Sequence, residues 1–137
     1  MICRGVILKT IEVVAAAIIQ DGKVLAAQRG YGNYKDSWEL PGGKVEPGET
    51  FKQALQREIR EEMGAKVTVG DLVGTVEYDY PEFHVCLHCF VCTVAEGQLE
   101  LKEHEAAKWL DADHLEDVAW LASDLRLLPK IRAKLIA

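Results

Sequence analysis

The chain has 137 residues, of which 49% are hydrophobic and 28% are charged. This length and balance fit a single folded domain over residues 1–137, and they exclude a disordered or membrane-spanning chain. The formal net charge of −6 argues against a nucleic-acid polymer as the partner, and it means that an anionic substrate needs local cations or a metal ion to bind.

The first predicted elements form a β-hairpin. Strands are predicted at about 11–20 and 23–28, and Asp21-Gly22 between them is typical of a two-residue hairpin turn. Because Glu12 interrupts the first apolar run and a turn follows it, a hairpin explains this segment better than a signal peptide does.

A long polar loop and a short strand lead into the segment around which the chain is organised. The loop at 29–37 is rich in glycine and tyrosine and is long enough to fold over a site. The short strand is predicted at 38–40. The helix that follows has both ends marked, because Thr50 and Gln53 have the spacing of a capping box and Gly64 stands where a C′ glycine ends a helix.

Three glutamates share one face of this helix. Glu58, Glu61 and Glu62 have i, i+3 and i+4 spacing, so their carboxylates lie within about one turn. Their repulsion destabilises the helix unless a hard cation such as Mg²⁺ or Mn²⁺ binds, because carboxylate oxygens are the ligands that these ions prefer. The other interpretation is a solvated acidic face that Arg57 and Arg60 soften. The helix alone leaves both interpretations open.

The glycine-rich loop before the helix favours the metal. Gly43 and Gly48 have the glycine spacing of a Walker A loop, but Glu49-Thr50 stands where that motif requires Lys-Ser/Thr. A glutamate at this position repels phosphate unless cations intervene. Loop and helix together therefore predict a phosphate group that is bridged by metal ions.

The C-terminal half is predicted to hold the remaining strands and two further helices. The ranges are a strand at about 66–78, a strand at 84–94, a turn at 95–98, a loop or short strand at 99–104 and a final strand at 106–110. Asp111 is expected to cap a short helix at 113–117, and Ser123 to cap the last helix. Pro129 either kinks a helix that begins at Asp124 or lies in the first turn of a helix that begins later.

Three of the four cysteines have a spacing that suggests zinc or an iron–sulfur cluster. Cys86, Cys89 and Cys92 form C-x-x-C-x-x-C within a predicted buried strand. The period of two places Cys86, His88 and Cys92 on one face and Cys89 on the other, which does not make a tetrahedral site. The better interpretation is reduced cysteines that pack as small apolar residues, which fits a reducing cytosol and predicts a cytoplasmic protein.

The loop and helix at 43–65 resemble the Nudix box. That pattern reads Gly, five residues, Glu, seven residues, then Arg-Glu-hydrophobic-any-Glu-Glu-any-Gly-hydrophobic. The matching residues are Gly43, Glu49, Arg57, Glu58, Ile59, Glu61, Glu62 and Gly64, and the last position holds Ala65, which is smaller than the usual residue. Trp38 to Lys44 resembles the segment that leads into the box in the MutT-type branch, and about 11–135 can be laid on that branch.

The resemblance implies a fold and an activity. The fold is α/β, a Nudix-type α/β/α sandwich with a mixed β-sheet. The activity is Mg²⁺-dependent hydrolysis of nucleoside triphosphates, whether damaged, modified or CTP-like, to the monophosphate and pyrophosphate, with Mn²⁺ as a substitute cofactor. The implied partner is therefore a small nucleotide, with no nucleic-acid polymer and no membrane.

The resemblance also implies roles for individual residues. The implied metal ligands are the main-chain carbonyl of Gly42 and the side chains of Glu58, Glu61 and Glu62. Beside Glu61 and Glu62, the third catalytic candidate is Glu103, as a metal-linked or proton-accepting glutamate. Glu105 can replace Glu103 if the loop shifts, and a merely solvated charged loop is the alternative to both. Glu49 and Arg57 are implied to form an ion pair that holds loop to helix.

The implied substrate contacts lie outside the helix. The candidates are Arg29 and Lys44 for phosphate or base, Leu40 and Phe83 as pocket lining, and Asp124 at the edge of the base. Arg29 and Lys44 also read as ordinary surface cations, and Asp124 also reads as a helix cap. Phe83 departs from the polar residue expected in enzymes that cleave oxidised guanine nucleotides.

Three alternative functions stand beside this one. The first is a Nudix hydrolase for ADP-ribose or nucleotide sugars, whose extra N-terminal strands could correspond only to residues 1–10, which are predicted as an added edge strand or a tail. The second is a non-catalytic ligand sensor, against which the intact carboxylate set argues. The third is a di-iron protein, against which the lack of any Glu-x-x-His pair in this sequence argues. The oligomeric state is left as monomer or homodimer.

Overall fold

The computed structural model describes residues 9–136. Its strands are β1 Thr10–Gln20, β2 Lys23–Arg29, β3 Trp38–Glu39, β4 Gly42–Lys44, β5 Lys66–Asp79, β6 His84–Glu96 and β7 His104–Leu110. Its helices are α1 Phe51–Met63, α2 Ala122–Leu125 and α3 Leu128–Leu135, with a 3₁₀ turn at Leu115–Asp117. The strand or tail predicted at 1–10 lies outside the described residues except for its end, where Thr10 begins β1.

β1 is the strand that joins the parts of the sheet. It runs parallel to β6, and it pairs antiparallel with β4 at 13–15 and with β2 at 19–20. β2 also pairs with β3 and with β7, and β5 pairs with β6 on the side away from β1. The hairpin between β1 and β2 is confirmed, with Asp21 and Gly22 as its turn.

Helices cover both faces of this mixed sheet. The apolar side of α1 packs on one face through Ala54, Leu55, Ile59 and Met63. The opposite face is covered by the C-terminal helices through Leu127, Leu128 and Ile131. The molecule is therefore an α/β/α sandwich with a mixed sheet, which confirms the predicted fold class.

The predicted limits of α1 are also confirmed. The Thr50 side chain accepts a hydrogen bond from the Gln53 amide, and the Gln53 side chain accepts one from the Thr50 amide. Gly64 ends the helix with φ of 68°, in the left-handed conformation that favours glycine, and its amide donates to the Arg60 carbonyl.

Two predictions for the C-terminal region are wrong. Ser123 does not cap the last helix, because it lies inside α2, which begins at Ala122, and its hydroxyl turns inward to Asp124. The short helix is only a 3₁₀ turn, and the Asp111 carboxylate accepts from the Asp113 amide ahead of it. The second interpretation of Pro129 is correct, since it lies in the first turn of α3.

The last strand begins earlier than predicted, at His104 rather than 106. A bulge between Gln28 and Arg29 lets Arg29 pair with His104, and this pairing extends β7 by two residues. The end of β2 and the start of β7 are thereby joined beside α1.

None of the helices within residues 9–136 has the length and hydropathy that a membrane crossing requires.

The cysteine prediction holds for two of the three residues. Neither Cys89 nor Cys92 forms a disulfide within residues 9–136, and the two are buried on opposite faces, where burial raises the pKa of both thiols. Cys86 likewise has no disulfide partner in the described part of the chain, but it is half-buried, and its sulfur lies 3.5 Å from the His88 ring. It therefore does not act only as a small apolar residue.

Candidate active site

Glu62 is a buried acid at the centre of the site. Only 7% of this residue is exposed, and its Oε2 has no hydrogen-bond partner among the described residues. Burial, followed by the charges of Glu58, Glu39 and Glu103, raises the pKa of Glu62 to about 9. A carboxylate that lacks a counter-charge in this way is stabilised if a cation binds beside it.

Glu58 is held against the loop that precedes the helix. A Cβ atom added to Gly43 would lie 2.4 Å from the Glu58 Oε2, so a side chain at Gly43 would displace the carboxylate. Burial is the main cause that raises the pKa of Glu58, and Arg57 acts against it. Glu61 differs from both neighbours, because 54% of its side chain is exposed.

Arg57 ties the loop to the helix. Its guanidinium donates to Glu49 through Nε at 2.7 Å and Nη2 at 3.0 Å, which lowers the pKa of Glu49. Nη1 donates to Glu58 at 2.8 Å and to Glu61 at 3.0 Å. Nη2 also donates to the Lys44 carbonyl at 3.0 Å. The predicted pair with Glu49 is thus present within a larger network.

A divalent cation fits this set of residues. Glu62 Oε2 has no hydrogen-bond partner among the described residues, the charges of Glu58 and Glu103 add to burial in raising the pKa of Glu62, and all the donors are oxygens. Oxygen donors suit Mg²⁺ and Mn²⁺ better than softer ions.

Glu103 and Glu105 lie in different surroundings. Glu103 lines a small cleft of about 60 Å³ together with Glu62, and its Oε1 accepts from the Tyr31 hydroxyl at 3.3 Å. Glu105 does not line that cleft, and the neighbouring Asp36 carboxyl raises the pKa of Glu105. The structure therefore brings Glu103, and not Glu105, to the buried glutamate.

A larger cleft of about 380 Å³ opens beside the carboxylates. Its floor is apolar and comes from β1 and β6, through Val13 and Leu87 among others. The predicted substrate residues Arg29, Leu40, Lys44, Phe83 and Asp124 all line it. Arg29 lines both clefts, and it therefore lies between the carboxylates and the apolar floor.

Asp124 is buried in this larger cleft and does not cap a helix. Only 5% of the residue is exposed, and its Oδ2 accepts from the Leu40 amide at 2.8 Å. Its Oδ1 accepts from the Ser123 hydroxyl at 3.0 Å. Burial, with a smaller contribution from Glu39, raises the pKa of Asp124 to about 7. The carboxyl is thus poised to change protonation near neutral pH.

Sequence reasoning missed the residues that hold Asp124 in place. The Tyr80 hydroxyl lies 2.9 Å from the Ser123 hydroxyl and accepts from the Ser123 amide at 3.0 Å. The Tyr34 ring packs 5.1 Å from the Tyr80 ring, so the polar loop does reach the cleft. The glycine and tyrosine content of that loop was the available signal.

Glu39 and His104 were also missed when the site residues were predicted from the sequence. Glu39 accepts from Arg29 Nη1 at 2.8 Å, and its other oxygen lies 2.8 Å from His104 Nε2. His104 is buried, and its Nδ1 has no hydrogen-bond partner among the described residues. Glu39 directly precedes the buried Leu40 and the box, which was the signal that an acid lies beside the site.

Comparisons with known proteins agree with this geometry. The family profile described as NUDIX domain matches residues 10–131. A CTP pyrophosphohydrolase from Escherichia coli is 39% identical over 92% of this chain and 94% of that protein. An 8-oxo-dGTP diphosphatase from Proteus vulgaris is 41% identical over 66% of this chain and 83% of that protein. The crystal structure of a MutT protein from Methanosarcina mazei superposes with a TM-score of 0.84 at 25% identity, covering 95% of this chain and 98% of that one.

These matches place the chain among the hydrolases of phosphoric anhydrides. The chain belongs to the NUDIX family, and its relatives are of the MutT type. The predicted family and enzyme class are therefore confirmed.

Proposed function

We propose that this Nudix hydrolase is a Mg²⁺-dependent nucleoside triphosphate pyrophosphohydrolase that releases the monophosphate and pyrophosphate. The observation that carries the proposal is the junction of two clefts at Arg29. One cleft holds Glu62, whose Oε2 has no hydrogen-bond partner in the part of the chain that the structure describes, and the other has an apolar floor and ends at Asp124. A triphosphate that crosses this junction has its phosphates at the carboxylate side and its base in the apolar cleft.

The box and the residue before it supply the side chains and the carbonyl that would hold the cation. Glu58, Glu61 and Glu62 would bind it together with the main-chain carbonyl of Gly42, and Mn²⁺ can substitute for Mg²⁺. When bound, the ion neutralises phosphate charge, orients the phosphates and lowers the pKa of a water molecule. Arg57 keeps Glu58 and Glu61 in place, while its pair with Glu49 fixes the loop.

Glu103 is the proposed proton acceptor of the attacking water. Its place in the cleft of Glu62 supports this role, and the position of Glu105 outside that cleft argues against the alternative. A general base contributes about 10²- to 10⁴-fold to a rate. Glu103→Gln is therefore the informative variant, and Glu105→Gln is its matched control.

Arg29 and Lys44 are the proposed phosphate contacts. Arg29 reaches both clefts, and its bond to Glu39 fixes the direction of its guanidinium. Lys44 lines the larger cleft and is exposed, so its ammonium is free to follow the ligand. Two cations at this point lower the repulsion between a triphosphate and the carboxylates.

Asp124 is the proposed reader of the base, between Leu40 and Phe83. As a carboxylate it can accept from an exocyclic amino group such as that of cytosine, and as an acid it can donate to an oxidised purine. The names of the relatives support both choices, since one is a CTP pyrophosphohydrolase and the other an 8-oxo-dGTP diphosphatase. The cleft has an apolar lining, with Phe83 in place of a polar residue, and this supports cytosine over an oxidised purine as the preferred base.

The test is pyrophosphate release from a nucleotide panel in Mg²⁺ and, separately, in EDTA. CTP, dCTP and 8-oxo-dGTP should yield monophosphate and pyrophosphate in Mg²⁺ alone, with ADP-ribose and a UDP-sugar much slower. Faster cleavage of ADP-ribose or the UDP-sugar would replace this proposal with the nucleotide-sugar activity. Cleavage of no compound at all would support the sensor.

A further inference from the structure

A second group of ligand-type side chains lies on the other face of the sheet from the substrate cleft. β1 and β6 pair in parallel with Glu12 beside Cys86, and His88 follows on the same face of β6. The larger cleft is lined from the opposite face, by Val13, Leu87 and their neighbours. Glu12, Cys86 and His88 thus form a cluster that the proposed hydrolysis does not use.

The donor atoms of this cluster are already close to one another. His88 Nε2 lies 3.2 and 3.3 Å from the two Glu12 carboxylate oxygens and 3.5 Å from the Cys86 sulfur. One donor atom from each of the three residues lies within 4.8 Å of the others. Around tetrahedral zinc, bonds of about 2.0–2.3 Å separate such donors by about 3.3–3.6 Å. The observed separations between His88 and its two neighbours match that spacing.

The His88 ring is fixed in the orientation that a ligand needs. Its Nδ1 lies 3.0 Å from the Thr75 hydroxyl, which can accept the Nδ1 proton and so leave the Nε2 lone pair facing Glu12 and Cys86. The Phe51 ring stacks on the imidazole at 4.2 Å with an interplanar angle of 20°. Only 12% of the His88 side chain is exposed, against 46% for Glu12, so the cluster opens to solvent on the Glu12 side.

We propose that Glu12, Cys86 and His88 bind a divalent ion of the zinc type. Sulfur and nitrogen donors select Zn²⁺ over Mg²⁺, whereas the all-oxygen glutamates of the box select Mg²⁺. When the ion binds, the Cys86 thiol releases one proton to solvent and its sulfur coordinates the ion. Thiolate and carboxylate then balance the two positive charges of the ion, and a water molecule completes four ligands.

Co²⁺ is the probe, because a cobalt–thiolate bond gives a charge-transfer absorption that oxygen ligands do not. The full chain is titrated with Co²⁺ under reducing conditions and in excess Mg²⁺, which occupies the box. We expect one Co²⁺ per chain with thiolate absorption, and Zn²⁺ should displace it. Cys86→Ala and His88→Ala should each weaken Co²⁺ binding at least tenfold.

Two cysteine variants serve as matched controls. Cys92→Ala removes a buried thiol on the same face of the same strand, and Cys3→Ala removes the thiol that lies outside the described residues. Both should keep the absorption. Its absence from the unmodified chain, its persistence in Cys86→Ala, or its loss in either control would overturn the proposal.

A second measurement uses only the unmodified chain, so its result does not depend on whether the variants fold. Iodoacetamide labelling of the unmodified chain, followed by peptide mass spectrometry, reports the reactivity of Cys86. Saturating Zn²⁺ in the presence of Mg²⁺ should slow this labelling at least tenfold, and an unchanged rate would contradict the site. Neither measurement depends on nucleotide hydrolysis.

Discussion

Glu62 is buried, and one of its oxygens has no hydrogen-bond partner in the range that the structure describes, which costs free energy unless a cation is near. Replacing it by glutamine removes the charge and keeps the shape. We expect Glu62→Gln to lower the rate of pyrophosphate release at least 100-fold, while far-UV circular dichroism is unchanged. Glu96→Gln, an exposed glutamate at the end of β6, should retain the normal rate. An active Glu62→Gln enzyme would contradict the metal role of this residue.

Asp124 should make stability depend on pH. Its pKa in the folded state is about 7, above the usual value of roughly 3.9 for an aspartate. The folded state therefore holds more protons than the unfolded state between these values, and the free energy of unfolding falls as pH rises through that window. Asp124→Asn should lack this part of the fall.

Urea unfolding at pH 5 and pH 8, both in EDTA, measures the effect. Glu62 acts in the same direction, so the difference between Asp124→Asn and the unmodified chain is the quantity that isolates Asp124. An identical pH dependence in both proteins would contradict the pKa of Asp124. In Mg²⁺, the same variant should change the preference among nucleotides more than the rate on any one of them.

The site residues that were predicted from the sequence lie close together along the chain, whereas the residues that were missed have partners far away in the sequence. Glu58, Glu61 and Glu62 were predicted because one helix fixes their spacing. Tyr80 and Ser123 are 43 positions apart, and Glu39 and His104 are 65 positions apart. No local pattern marks such pairs, because the sheet and the C-terminal helices bring them together.

At the scale of elements, two glycines of the loop and helix serve different purposes. Gly43 gives space to the Glu58 carboxylate, whereas Gly64 permits a left-handed backbone at the end of α1. We expect Gly43→Ala to displace Glu58 and lower the rate at least tenfold with little loss of stability. Gly64→Ala should cost about 1 kcal/mol of stability and leave the rate within about twofold.

Thermal unfolding and pyrophosphate release, measured on both variants, separate the two effects. Each variant serves as the control for the other, since both add one methyl group to the same box. If Gly43→Ala retains the full rate, the close packing of Glu58 on the loop is not needed for the reaction.

Local signals predicted α1 and the first hairpin well and the C-terminal helices poorly. Thr50, Gln53 and Gly64 mark the ends of α1 by contacts within a few residues. Ser123 resembles a cap in sequence, but its hydroxyl is taken by Asp124 and lies beside the Tyr80 hydroxyl, which belongs to a distant loop. Tertiary contacts therefore decided the shape of that region.

At the scale of the molecule, the net charge of −6 is concentrated in part at the carboxylate site. A cation that binds the folded state raises its stability, by about 2.7 kcal/mol at 100 times its dissociation constant. We expect Mg²⁺ to raise the melting temperature by several degrees. Glu62→Gln should lose most of this gain and Glu96→Gln should keep it. Equal gains in all three proteins would show that Mg²⁺ binds elsewhere.

The parallel pairing of β1 with β6 has a consequence for how the chain is made. Its partners, from Thr10 with His84 to Ile18 with Cys92, are more than 70 positions apart. During synthesis, β1 leaves the ribosome with β2 available to it but with no β6. The hairpin can form at once, yet one edge of β1 must wait until most of the chain has been translated. Closing so large a loop is slow, and the apolar middle of β1 is the surface that the nascent chain must protect from aggregation in that interval.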